Sequence, residues 1–338
     1  MDKVTQAEPR KPTLKTIAAL TGLAVPTVSR ALSGAEDISI DTRARVRAVA
    51  DQIGYVPNRA GVRLRTGRTN VISLVMSTEH DVMNHTAKLI SSVAGGLRNT
   101  PFHLNITPYF ADEDPMKPIR YIVESGSADA VIFNQIQPQD PRIRYLLDRR
   151  FPFATHGRSD WSDQHAWFDF DNFSFGALGV RTLMRHGRRR LMIVAPPMDQ
   201  TYAQAMVQGA TAEAAGAGAT LSIMPELSSD SPVDQVEALL RRLLAEPGAP
   251  DGVICGSTNA ALAAVAGLEG CGRSLGDDID IFTKEAIVFL RRVRPRLLAI
   301  AEDVSAAGDF LARAAMALVR HPDADPMQHL DVPPDPGL

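Results

Sequence analysis

The residues best suited to chemistry lie near the start of the chain, and their chemistry is hydrogen bonding rather than catalysis. In Val25-Pro26-Thr27-Val28-Ser29-Arg30-Ala31-Leu32, small and hydroxyl-bearing side chains open a helix-like run and a cation follows about one turn on. A helix that enters a DNA major groove by its N-terminus needs that order of side chains. Thr27, Ser29 and Arg30 offer hydrogen bonds to base edges and phosphates, whereas Val25 and Pro26 can read bases only by shape and methyl contact. Thr13 and Thr16, in the preceding segment, join this DNA-contacting set. Catalytic patterns are missing: there is no G-x-S-x-G elbow, H-E-x-x-H helix or P-loop. The eight histidines do not cluster at metal-ligand spacing, and Gly216-Ala217-Gly218 does not follow a strand as a dinucleotide fingerprint would. Cys255 and Cys271 are too few and too far apart to build a zinc site. A non-enzyme is expected, with no catalytic residue, metal or cofactor.

The elements that must hold these residues can be read next. Leu14, Ile17, Ala18 and Leu20 fall close to helical spacing, so one face can pack. Gly22 permits the sharp change of direction between two helices, and Pro26 is tolerated in the first turn of the second. A helix-turn-helix is predicted, with residues 13–57 as its domain and residues 1–12 as a disordered tail. Beyond it, Asn58 can cap a short helix running through Arg63 and Leu64. About eight residues is marginal for a lone helix, and Gly61 weakens it by up to ~1 kcal/mol. Residues 58–69 are therefore expected to be a hinge helix or linker, its arginines suited to phosphates.

Charge supports a nucleic-acid-binding head. Residues 1–68 carry twelve Lys and Arg against six Asp and Glu, a net +6, while the rest carries −9, giving −3 overall. Basic excess at one end of an acidic chain is the footprint of a DNA-binding module on a body that avoids DNA. No apolar run is long enough to span a membrane. The polar start has none of the features of a secretory leader, so a cytoplasmic location is expected.

From Asn70 the pattern becomes alternating strands and helices. Strands are predicted at 71–76, 103–107, 130–133, 151–155, 190–194, 221–224, 252–255 and 279–282, with helices between them. Two β/α rounds separated near 156–172 imply two doubly wound lobes flanking a cleft. Ligands in such sheets bind beyond the carboxyl ends of the strands. The candidates there are Ser77, Asp81, Asn134, Arg158 and Trp161 in the first lobe, and Tyr202, Ser257, Asn259 and Glu285 in the second. Planar side chains that fork hydrogen bonds to vicinal hydroxyls, with an aromatic face, are what a sugar requires.

Four motifs occur in order: Ala18-Ala19-Leu20-Thr21-Gly22, then Thr27-Val28-Ser29-Arg30-Ala31-Leu32, then Thr42-Arg43-Ala44-Arg45-Val46, then Gly54-Tyr55-Val56-Pro57-Asn58. Together they resemble the lactose-repressor family of bacterial transcription regulators, over nearly the whole chain. The resemblance implies an N-terminal helix-turn-helix head plus an α/β two-lobed effector domain like that of periplasmic sugar-binding proteins. It implies a sequence-specific regulator, a repressor, that binds palindromic double-stranded operator DNA as a homodimer under control of a small-molecule effector. It also implies that Leu64 wedges between central base steps, although Gly61 stands where the family usually has alanine. The effector domain should span 70–320, crossing between lobes three times so that 300–320 return to the first lobe. The tail, 321–338, is proline-rich and lacks the leucine heptad of a tetramerising coiled coil. Arg158 occupies a position often filled by arginine in sugar-responsive members. Two departures stand out: Ser257-Thr258-Asn259 replaces an Asn-Asp pair, and Lys284-Glu285 replaces an aromatic-Asp pair, with Glu285 the expected hydroxyl acceptor. Phe153 to Arg158 and His165 to Asp171 most resemble regulators of α-glucoside and α-galactoside uptake, which points to a sugar. Two alternatives remain open: a non-sugar ligand or a co-repressor protein could control the body, or the chain could be a sugar-binding protein with no DNA role. The arginines in Arg185-His186-Gly187-Arg188-Arg189-Arg190 resemble a family strand entry; they suit a helix C-terminus rather than a second DNA site.

Overall fold

The computed structural model describes residues 11–56, 63, 67–78, 85–110, 112–286 and 289–335. It divides into two compact units, 1–69 and 70–338. No helix among the described residues is long and apolar enough to cross a membrane.

The first unit packs α1 (Leu14–Thr21), α2 (Val25–Leu32) and α3 (Ile40–Gln52). Thr13 and Thr16 form a reciprocal capping box at the head of α1, and Gly22 ends the helix at φ +66°. Ser39 caps α3 by accepting from Thr42 N. Ile17, Val28, Ala31, Val46 and Ala50 form the centre of the bundle, flanked by Leu14, Leu32 and Tyr55. Arg43 and Arg45 of the third motif act as staples, donating to Gly34 O and Thr21 O, each at 3.1 Å.

The second unit contains two wholly parallel sheets. The first joins β1 (Val71–Ser77), β2 (His103–Tyr109), β3 (Ala130–Phe133), β4 (Phe153–His156), β5 (Ala166–Phe170) and β11 (Gln328–Asp331) in the order β11-β5-β4-β3-β1-β2. The second joins β6 (Arg190–Val194), β7 (Thr220–Ile223), β8 (Gly252–Cys255), β9 (Asp280–Glu285) and β10 (Leu298–Ala301) in the order β10-β9-β8-β6-β7. Side chains alternate between two cores in each sheet, as a strand of period two requires. Ile72, Leu74 and Met76 face α4 (Ala87–Gly96) and α12 (Val304–Arg320), while Val75 and Phe133 face α5 (Met116–Ser125) and α6 (Pro141–Asp148). In the second lobe, Met192 and Val194 face α9 (Val233–Ala245) and α10 (Thr258–Gly270). Leu191 and Ile193 face α7 (Asn172–Arg185) and α8 (Thr201–Ala217). A short α11 (Leu290–Val293) precedes β10.

Helix α12 packs on α4 and the first sheet, so residues 304–320 return to the first lobe as the resemblance implied. The chain then crosses a third time, where Asp335 meets Arg185 of α7 at 2.8 Å. Three strands were not foreseen. β5 and β10 are short, and β11 lies inside the segment read as a C-terminal tail; it pairs parallel to β5, with Leu330 beside Asp169. Part of the proline-rich tail is thus an edge strand, and the effector domain extends beyond residue 320.

Both sheets reverse their winding, between β1 and β3 and again between β6 and β8. The loops leaving these strands part to opposite faces, which opens a crevice at the carboxyl ends. The two crevices face each other.

Candidate functional site

On the head, Thr13, Thr16, Pro26 and Arg30 are exposed, and Val25, Thr27 and Ser29 are half-buried, while Val28 and Ala31 turn into the core. Most of the proposed DNA-contacting side chains thus remain accessible outside the core. Two of them have structural work as well: Thr16 N donates to Thr13 Oγ1 at 3.4 Å, and Thr13 N to Thr16 Oγ1 at 3.1 Å. Arg30 forms an ion pair with Asp37 in the turn after α2. Asn58 and Leu64 of the expected hinge lie outside the described residues, as does Asp81 of the ligand set. Arg63 is exposed, and its carbonyl accepts from Gly67 N at 2.8 Å.

The cavity between the two lobes has an empty volume of about 900 Å³ counted to its open mouth. Of the sequence-derived candidates, Asn134, Tyr202 and Ser257 line it. Asn134 leaves the end of β3 on a loop fixed by buried Arg142, which donates to Asn134 O at 3.2 Å and Gln135 O at 2.7 Å and pairs with Asp140 at 2.6 Å. The Asn134 Oδ1 atom is buried and has no partner among the described residues. A buried acceptor left in this state favours a donor arriving from a ligand or water. Tyr202 stands in the first turn of α8, and burial pushes its hydroxyl well above the usual range. Ser257 caps α10 by accepting from Ala260 N and donates to Ser229 O.

The other candidates fall elsewhere. Ser77 is buried at the end of β1, and Asn259 lies in the first turn of α10; neither lines the cavity. Trp161 packs beside the cluster of Ile136 and Phe153. Arg158 is held by Asp169, Nε to Oδ2 at 2.7 Å, and reaches the cavity only through that carboxylate. Glu285 needs a correction. Strand β9 runs on to residue 285 rather than ending at 282, so alternation sends Lys284 into the cleft and Glu285 away from it. Glu285 is buried and accepts from Phe289 N, Leu290 N and Arg291 Nε, anchoring α11.

The charged centre of the cavity comes from residues that the sequence pattern does not single out. Lys284 Nζ lies 2.9 Å from Glu302 Oε2 and 3.1 Å from Asn172 Oδ1, with the Phe170 ring centroid 4.9 Å away. His85 Nε2 approaches Glu302 Oε1 at 3.4 Å and stacks on His156, ring centroids 5.3 Å apart. Burial raises the Glu302 carboxyl, but Lys284 and His85 outweigh it and hold the group well below its ordinary range. Burial, with His85 beside it, lowers His156 to about 3. Burial raises Asp169 to about 6 against the pull of Arg158. Two of the eight histidines thus meet in space though not in sequence: ligand atoms of His85, His156 and Glu302 lie within 4.8 Å of one another. Their geometry suits a metal poorly. The imidazole planes are 11° apart and stacked, so their in-plane lone pairs run side by side, and an ammonium already sits on Glu302. The trio is better described as a hydrogen-bonding wall.

Two hydrogen bonds join the lobes at one flank of the cavity. Thr201 N donates to Ile136 O at 2.8 Å, and Gln137 Nε2 to Asp199 Oδ2 at 2.7 Å.

A three-helix reading head followed by a two-lobed parallel α/β body defines a class of ligand-controlled DNA-binding proteins. Residues 13–58 match the family model of bacterial regulatory proteins, lacI family, and residues 180–336 match that of the periplasmic binding protein-like domain. The chain is 31% identical over 278 residues to the HTH-type transcriptional regulator AglR of Rhizobium meliloti (strain 1021), covering 81% of this chain and 78% of that one. Regulator CelR of Thermobifida fusca is 25% identical over 324 residues, covering 94% and 95% of the two chains. Among solved structures, the lac repressor dimer bound to operator and the anti-inducer ONPF superposes with a TM-score of 0.79 at 18% identity, covering 96% and 97%. A CelR–cellobiose complex gives 0.70 at 23% identity, covering 96% and 98%. The chain belongs to the lacI family of bacterial regulatory proteins. It is a helix-turn-helix transcription regulator.

Proposed function

We propose that this regulator is a cytoplasmic repressor that grips a palindromic operator as a homodimer and is released by a sugar bound between its lobes. The observation that carries the ligand half is the cavity itself, where both sheets reverse winding and polar groups converge on two aromatic rings. Phe170 and Tyr202 offer apolar faces to a sugar ring; Asn134, Asn172, Asp169, Asp230 and Glu302 offer planar amides and carboxylates to its hydroxyls. The solved CelR structure, which resembles this chain in fold, holds cellobiose. The DNA half rests on the family motifs, with Thr13, Thr16, Val25, Pro26, Thr27, Ser29 and Arg30 as the contacts on the head. Asn58, Arg63 and Leu64 extend that contact set into the hinge. A single short recognition helix reads few base pairs, so two heads related by a twofold axis suit a palindrome.

Release follows from differential affinity. A sugar that binds the closed lobes better than the open ones shifts the population toward closure, and the heads of the dimer then lose the spacing that the operator needs. Thermal melting of the purified chain against mono- and disaccharides identifies the ligand, because a molecule that binds only the folded state raises Tm. A saturating sugar should raise Tm by several degrees and weaken operator binding in the same concentration range. A ligand that raises Tm without affecting operator binding would sink the proposal.

A further inference from the structure

We propose that the cleft selects uncharged sugars and rejects phosphorylated or otherwise anionic ones, with the Lys284–Glu302 pair as the determinant. This rests on the sugar-binding reading of the cavity given above. Three carboxylates, Asp169, Asp230 and Glu302, line the cavity. Against them stand two permanent cations, Lys284 on the lining and Arg158 behind Asp169. Both cations are already engaged. Arg158 lies 2.7 Å from Asp169, and the Lys284 ammonium is shared between Glu302 at 2.9 Å and Asn172 at 3.1 Å. His85 also turns its Nε2 to Glu302, so that nitrogen is engaged by the same carboxylate.

Helix N-termini also open toward the cavity, and they favour anions. Some of these are already satisfied by side chains: Asp171 accepts from Ser174 N in α7, Ser257 from Ala260 N in α10, and Asp303 from Ser305 N and Ala306 N in α12. α8 and α4 begin without a side-chain cap, and a helix end supplies about half a unit charge. That does not outweigh the carboxylate excess. A phosphate carries about −1.5 to −2 at neutral pH. To pair with it, Lys284 would have to leave Glu302, whose side chain is only 7% exposed. The abandoned carboxylate would then be buried and poorly paired, which is the costly way to break an ion pair. A neutral hydroxyl asks for no such exchange: it can donate to Glu302 and accept from Lys284 with the pair intact.

The test uses the full-length protein and calorimetric titration with maltose, melibiose and cellobiose, each beside its 6′-phosphate. At least one neutral sugar should bind, with its phosphate at least a hundredfold weaker. In Glu302→Gln the ammonium is released from its carboxylate, and the phosphorylated sugar should gain at least tenfold while the neutral one changes less. Parity between the two forms in the parent protein, or a preference for the phosphate, would overturn the proposal while leaving the sugar cleft standing. The proposal falls equally if Glu302→Gln folds and its discrimination is unchanged. If neither form of any sugar binds, the cleft reading has failed and takes this inference with it. The parent comparison is decisive even if the variant does not fold.

Discussion

Replacing Lys284 by Met leaves Glu302 in a buried setting with His85 as its remaining close partner. The two side chains of the pair are 13% and 7% exposed, so solvent can do little to compensate. Breaking a buried pair from one side costs about 3–5 kcal/mol. In a domain of this size 1 kcal/mol moves Tm by roughly 2–4 °C, so Lys284→Met should lower Tm on the order of 10 °C at pH 7.5. The pH dependence should also change. In the parent, the Glu302 carboxyl titrates below its ordinary value of 4.5. Its contribution to stability is therefore complete above that value and is lost as pH falls through the depressed one. Without Lys284 the effect of burial is less opposed and the carboxyl rises from its depressed position, so the variant's loss of stability relative to the parent should shrink as pH falls. Lys284→Met with Glu302→Gln removes both charges and should recover most of the loss. The assay is thermal melting of the three proteins between pH 5 and 8. A single variant within 1 °C of the parent, or a double variant as unstable as the single, would refute the reasoning.

Arg30→Ala should abolish operator binding yet leave melting and dimer formation unchanged, because its pair with Asp37 is half exposed, at 58% and 50%, and worth at most about 1 kcal/mol. Gel shift and sedimentation would check both halves. Operator affinity should fall roughly a thousandfold or more between 50 and 200 mM salt if about six phosphates are neutralised by the dimer; a nearly flat dependence in fluorescence anisotropy would show that the basic head does not face DNA. Gly176→Ala should destabilise the second lobe by about 2–3 kcal/mol, at the upper end of overpacking costs. Its Cβ would fall 2.0 Å from Met206 O, where α7 and α8 touch backbone to backbone. A melting temperature equal to the parent's would mean that the helices separate at little cost.

The head was legible because what shapes it is local. The Gly22 reversal and the packing face that includes Leu14, Ile17 and Ala18 are set by neighbours within a few turns. The buried strands were legible too, since Val71 to Met76 and Ala130 to Phe133 are apolar on both faces. Weaker strands escaped. β5 mixes Asp169 and Trp167 with its phenylalanines, and β11 is Gln-His-Leu-Asp at a sheet edge that depends on pairing with β5 rather than on an apolar run. The site divides the same way. Asn134, Tyr202 and Ser257 could be found from strand ends and helix starts. His85, Lys284 and Glu302 come from three distant stretches, and only the assembled lobes place them together. Lys284 was nearest to discovery. One residue of strand length separated it from Glu285, and in a strand one residue is the difference between two faces.

The claim that a sugar in the cleft controls DNA binding is tested most directly by titrating a labelled operator complex with the sugar found by melting, using the parent and Asn134→Leu. The Asn134 Oδ1 atom has no partner among the described residues, so its removal should cost the unliganded protein little. Fluorescence anisotropy should show equal operator affinity for the two proteins without sugar. The parent should be released as sugar is added, and the variant should need at least tenfold more. Release of both proteins at the same sugar concentration, or of neither at any concentration that raises the melting temperature, would contradict the proposed control.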